Sequence, residues 1–158
     1  MKGDVMTDSS AATDLDRAKA VLLDDDSLGC VACRTDDEDG RTTTLTGTGR
    51  GVRPLLQWLA AGRSLAGSSA ADRVVGKGAA LLYARLGART VYAQTMSEAG
   101  LAALRANGIA ASYGTLVPRI LNRARTGLCP IERSVATIDD PTAAESAIRA
   151  AVAELMRR

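Results

Sequence analysis

Between Asp72 and Tyr113 the chain changes its hydrophobic period three times, and that alternation restricts the fold more than any other feature. Asp72 precedes a strongly apolar helical stretch, Val74 to Leu86, which Gly87 stops. Thr90 to Thr95 then reads as a compact strand. Ser97 is a good N-cap for a helix carried by Glu98, Leu101 and Leu104 to Asn107-Gly108, and Ile109 to Tyr113 is another strand. Upstream, Leu28 to Arg34 and Arg41 to Thr46 flank the polar turn at 35–40 and form a hairpin. A hairpin followed by alternating helix and strand predicts a mixed sheet with helices on its faces, a three-layer α/β/α sandwich.

The other segments fit that plan. Asp14 is placed to cap a first helix with Leu15, Ala18, Val21 and Leu22 inward, ending near Asp24 to Asp26. Gly47 to Gly51 is a glycine-rich bend opening a short helix with Leu55, Leu56, Trp58 and Leu59 on its buried side. Gly62 to Ser69 reads as a loop, Leu116 to Leu121 as a short helix despite Pro118, and Asn122 to Gly127 as a polar loop. Asp140-Pro141 starts the last helix, with Ala144, Ile148, Val152 and Leu155 facing inward. Residues 14–158 make one domain, and the polar stretch 1–13 reads as a disordered tail.

Composition narrows the function classes. Apolar residues are 46% of the chain, mostly small, with three Tyr, one Trp and no Phe. Twenty basic against 18 acidic residues leave a formal charge of +2, too little to argue for nucleic acid or an anionic membrane, and few aromatics remain to stack bases. No run approaches the roughly 18 apolar residues of a membrane span. Three cysteines without secretory features predict free thiols in a reducing cytoplasm.

The segment Asp72-Arg73-Val74-Val75-Gly76-Lys77-Gly78-Ala79-Ala80-Leu81-Leu82, then Val91-Tyr92-Ala93 and Ser97-Glu98, carries a family resemblance. Gly108-Ile109, Tyr113, Asn122-Arg123 and Gly127-Leu128-Cys129-Pro130-Ile131-Glu132 extend it over about residues 14–150. The pattern resembles an uncharacterised prokaryotic family of unknown function within the cytidine deaminase-like superfamily. Active deaminases of that superfamily place His or Cys, then Glu, at the start of the helix matched here by Val74 to Leu86, and two Cys at the next helix start. Here those places read Val75-Gly76-Lys77 and Met96-Ser97-Glu98-Ala99, and the chain has no His at all. The resemblance therefore implies a shape and a pocket, not zinc-hydroxide chemistry, and neither a metal nor another cofactor is expected.

Several polar residues remain, each with a structural explanation beside the functional one. Cys30 and Cys33 form C-x-x-C in a strand, where positions three apart point to opposite faces; packed thiols compete with a redox or metal role. Gly47 to Gly51 with Arg50 and Arg53 would cradle an anion or merely make a tight connection. Lys77, early in a helix whose dipole opposes it, would bind an anion or pair with Asp72. Glu98 serves a site or only the helix dipole. Cys129-Pro130-x-Glu132 looks catalytic because a helix start favours a thiolate, with Glu132 as its proton-transfer partner, but it is equally a packed cysteine.

Together these imply a metal-free pocket for a small anionic, nucleotide-like ligand, near the start of the Val74 helix and closed by the 122–132 loop. Lys77, Arg123 and Asn122 would hold the ligand and Asp72 would orient Lys77. Whether turnover follows is open. The competing expectation is a non-catalytic scaffold or sensor, as a homodimer.

Overall fold

The computed structural model describes residues 14–157, and the expected tail at 1–13 lies outside them. Helix α1 spans 14–24. The hairpin β1 (Leu28–Thr35) and β2 (Thr42–Thr48) follows, then α2 (Arg53–Ala60), β3 (Ser69–Val75) and α3 (Lys77–Leu86). The chain continues through β4 (Thr90–Ser97), α4 (Glu98–Ala106), β5 (Ala110–Val117), α5 (Pro130–Ser134) and α6 (Pro141–Met156). The five strands form one sheet in the order β2-β1-β3-β4-β5. β1 is antiparallel to both β2 and β3, whereas β3, β4 and β5 run parallel, so the sheet is mixed.

Side-chain alternation along β1 divides the core in two. Cys30 and Ala32 point into a large cluster built with α2, α3, α4 and α6, including Leu55, Leu82, Tyr83, Leu104 and Ile148. Val31 and Cys33 point the other way, into a small cluster with Ala18 and Leu22 of α1. Helices therefore lie on both faces of the sheet. Burying a Leu or Val side chain stabilises by roughly 1.5–3 kcal/mol, and the fully buried Leu81, Leu82 and Tyr83 make α3 the central helix of the larger cluster.

Local signals set most helix ends. The Ser97 hydroxyl accepts from Gly100 N at 3.0 Å to cap α4, and Asp140 accepts from Ala143 N at 2.9 Å to cap α6. Gly87, at φ 88°, ends α3 in the left-handed conformation that glycine tolerates. Asp14 behaves differently from the expected cap. Its buried carboxylate accepts from Thr35 N at 3.0 Å and Thr35 Oγ1 at 2.6 Å, tying α1 to the end of β1.

Four expectations need correction. The central strand β3 was not anticipated: Ser69, Ala70 and Ala71 are small and buried on both faces, so they show neither alternation nor strong β propensity. Asp72 accordingly stands within β3, opposite Cys30 of β1 and Ala93 of β4, and α3 begins at Lys77 instead of Val74. The apolar stretch after Gly114 continues β5 to Val117 and then becomes loop, because Pro118 cannot supply a helical N–H. Leu155 is 42% exposed, since only Ala144 and Ile148 of α6 are buried.

Candidate functional site

Because β3, β4 and β5 are parallel, their carboxyl ends share one edge of the sheet. The antiparallel register brings the start of β1 and the end of β2 to the same edge, with Leu28 opposite Thr48. In open α/β sheets ligands bind outside the carboxyl ends of the strands. Three cavities open there.

The first, about 460 Å³, lies between the starts and ends of β1, β2 and β3, and is lined by Ser27, Gly29, Gly49, Arg50, Asp72 and Val74. Asp72 is 4% exposed. The Tyr83 hydroxyl donates to its Oδ2 at 2.6 Å and Val74 N donates to Oδ1 at 3.2 Å. Burial pushes this carboxyl up to about 7, although the bond from Tyr83 acts in the opposite direction. Tyr83 itself is held well above the ordinary phenol value by burial and by the Asp72 charge. Asp72 thus engages α3 through Tyr83 and does not orient Lys77, as the sequence reading had it. Its side chain projects from mid-strand toward α3, not from a helix start.

The second cavity, about 490 Å³, contains Lys77, Glu132, Ser97, Arg119 and Asp139. Lys77 Nζ pairs with Asp139 at 3.0 Å and donates to Ala136 O at 3.3 Å. Glu132 is 8% exposed and its carboxylate accepts two backbone N–H bonds, from Lys77 at 2.7 Å and Gly78 at 2.8 Å. It is the missing N-terminal cap of α3, supplied by α5. Two glycines make room for it: a Cβ on Gly76 would stand 2.4 Å from Glu132 Oε1, and one on Gly78 would stand 2.9 Å from Ile131.

The third cavity, about 440 Å³, opens beyond Val74 of β3, Thr95 of β4 and Val117 of β5, and is ringed by Arg119, Arg123 and Arg125. All three arginines are exposed, and none has an acidic partner among the described residues. Asn122 organises the loop that carries them. Its Oδ1 accepts from Thr126 N at 3.0 Å, its carbonyl accepts from Arg125 N at 3.0 Å, and Arg125 takes φ 58°. That strained position for a non-glycine residue fits a built loop.

The sequence-predicted residues therefore divide into groups. Lys77 and Glu132 meet in the second cavity, Asn122 and Arg123 in the third, and Asp72 lies in the first. Arg119 lines both the second and the third and so connects them; the sequence gives no signal for it, because it lies in a segment whose pattern predicts a helix. Cys129 is half-buried at the N-cap of α5, with Pro130 in the first turn as expected. Glu132, in that turn, directs its carboxylate to α3. Cys30 and Cys33 are buried on opposite faces of the sheet, and desolvation pushes both thiols upward, the reverse of what a redox pair requires. Gly47 faces Pro54 and Cys30 so closely that a Cβ would stand 2.5 and 2.8 Å away, which makes that bend a packing requirement. Among the described residues no helix is long and apolar enough to cross a membrane.

Residues 20–152 match the family described as TM1506, domain of unknown function (DUF1893). The solved structure of a DUF1893 family protein (TM1506) from Thermotoga maritima is 25% identical, covers 89% of each chain and superposes with a TM-score of 0.69. The structure of NE0047 in complex with 2,6-diaminopurine is 15% identical over 91% of this chain and 80% of that one, at a TM-score of 0.38, a likeness too weak to fix a fold. Among curated proteins, none matches the chain.

Proposed function

We propose, for a chain that belongs to the DUF1893 family, that it binds a small organic anion outside the carboxyl ends of β3, β4 and β5. The observation that carries this reading is the ring of Arg119, Arg123 and Arg125 around one cavity, with no carboxylate among the described residues to neutralise it. Three arginines lining one cavity without an acidic partner concentrate positive charge there, and a phosphate or carboxylate accepting their N–H groups would offset it. Arg119 extends the same positive field into the second cavity. There Lys77 is held by Asp139, a residue whose side chain is 94% exposed and free to give way to a stronger anion.

This reading modifies the expected site. Arg123 keeps its ligand-binding role, with Arg119 and Arg125 added. Asn122 becomes the residue that positions the loop, and Glu132 the residue that fixes the start of α3. The function is binding; Cys129, at the base of the same loop, is the nucleophile to examine if turnover is ever found. The order β2-β1-β3-β4-β5 with helices on both faces supports reading the fold as a three-layer α/β/α sandwich of cytidine deaminase-like type, with the ligand at the strand ends.

The test is calorimetric titration with inorganic pyrophosphate at two salt concentrations. The wild-type protein is expected to bind, more weakly at high salt. Arg119→Ala and Arg123→Ala should each lose about tenfold or more in affinity, since a charge-assisted hydrogen bond contributes roughly 1.5–3 kcal/mol. Unchanged affinity in both variants would remove the reading.

A further inference from the structure

The first and third cavities share a wall. Val74 lines both, an apolar side chain 40% exposed at the end of a strand whose flanking Val75 is fully buried. The two chambers on either side of it differ in charge, the third lined by arginines alone among charged residues and the first by residues of both signs, Asp26 and Asp72 with Arg50 and Arg73. The three arginines of the third have no acidic partner among the described residues. In the first, Asp72 is buried and bonded to Tyr83. Arg73 also lines the first chamber and its charge lowers the Asp72 carboxyl somewhat, but its guanidinium hydrogen bonds go elsewhere. Its guanidinium donates to Leu28 O at 3.1 Å, Leu22 O at 2.7 Å, Asp25 O at 3.1 Å and Gln94 Oε1 at 3.3 Å. Arg50, exposed on the far rim, is the remaining cation.

The groups facing Asp72 are Tyr83 from α3, Cys30 from β1, and Arg73 and the Val74 amide from its own strand. None of them is a cation hydrogen-bonded to it. A buried carboxyl with neutral donors retains acceptor capacity for a further N–H group, because each carboxylate oxygen accepts more than one hydrogen bond. Its burial places it near half-ionisation at neutral pH, so a cationic donor arriving there would draw its proton off.

We infer that a single ligand spans both chambers: an organic phosphate whose anion sits among Arg119, Arg123 and Arg125, whose apolar middle crosses Val74, and whose far end offers an amine or amidine to Asp72. This rests on the proposed anion site and specifies what its ligand must carry beyond the anion. A bare phosphate would fill only the arginine chamber, and an amine without a phosphate would forgo the arginines.

The experiment compares ω-aminoalkyl phosphates of two to six methylenes with alkyl phosphates of equal length, by calorimetry, on wild type, Asp72→Asn and Arg123→Ala. At the length that fits, the amine should improve affinity about tenfold in the wild type. Asp72→Asn should erase that advantage, and Arg123→Ala should weaken both series alike. A second measurement needs no variant: the Asp72 carboxyl carbon, followed by NMR, should titrate at lower pH when the aminoalkyl phosphate is present and not when the alkyl phosphate is. Equal affinities at every length, with Arg123→Ala still weakening both series, would overturn the spanning ligand and leave the anion site standing. No binding by either series would overturn both.

Discussion

Asp72 concentrates the protein's unusual chemistry in one residue. A carboxyl placed in the middle of a central strand must be satisfied by neighbours, and Tyr83 and the Val74 amide do so. Its proton is nonetheless retained in the folded state to about 7, whereas the ordinary value is 3.8. The sign of the consequence follows from proton counting: between these values the folded chain binds more protons than the unfolded one, so stability falls as pH rises from about 4 to about 7 and then levels. Asp25 is shifted the other way, lowered by its bonds from Ser27, and contributes in the opposite direction. Comparison with a variant isolates the Asp72 contribution. Asp72→Asn should flatten the decline, so that its urea-denaturation midpoint changes less between pH 4.5 and 7.5 than the wild-type midpoint; parallel curves would show that Asp72 titrates normally. In sequence the residue was visible, but its place was not. An Asp two residues before an apolar run reads as lying just ahead of a helix, and only the ladder with β1 and β4 shows that the run begins as a strand.

The start of α3 explains a motif at the scale of an element. Gly76 and Gly78 flank Lys77 because α5 fills the space where their side chains would be, the Glu132 carboxylate at Gly76 and Ile131, with Glu132 behind it, at Gly78. Helix α3 has no side-chain cap of its own, and an element more than fifty residues later in the chain closes its amino end. Gly76→Ala should therefore lose about 1–3 kcal/mol of stability through overpacking. Glu132→Ala should lose a comparable amount, because two buried N–H groups are left without a partner. The two changes should not add, since removing Glu132 frees the space that the alanine methyl needs. Strict additivity in chemical denaturation would mean that the two do not meet. Glycines at 76 and 78 and a glutamate at 132 were all present in the family resemblance, yet nothing in their spacing links them. Their partnership arises where α5 packs on α3.

For the molecule as a whole, Arg73 holds its layers in register. From β3 it reaches the carbonyls of Leu22 and Asp25 at the end of α1, that of Leu28 at the start of β1, and Gln94 on β4. Apart from these bonds, α1 is attached by the small cluster with Ala18 and Leu22 and by the Asp14 carboxylate at Thr35. Arg73→Met should keep the aliphatic contact and lose the four bonds, lowering stability by about 2 kcal/mol or more. Amide exchange should accelerate first along 14–24, well before the strands; uniform acceleration would mean that α1 does not open separately.

Local pattern alone determined the α/β class, the hairpin, the caps at Ser97 and Asp140, the stop at Gly87 and the opposite faces of Cys30 and Cys33, because each depends on a period or on a residue's own backbone chemistry. Tertiary structure decided the central strand, the burial of Asp72 against Tyr83, the capping of α3 by Glu132 and the separation of the candidate site into three chambers. Those depend on which segments lie side by side. A strand of small residues buried on both faces has no period to show, and a side chain's partner is fixed by packing between elements far apart in the chain.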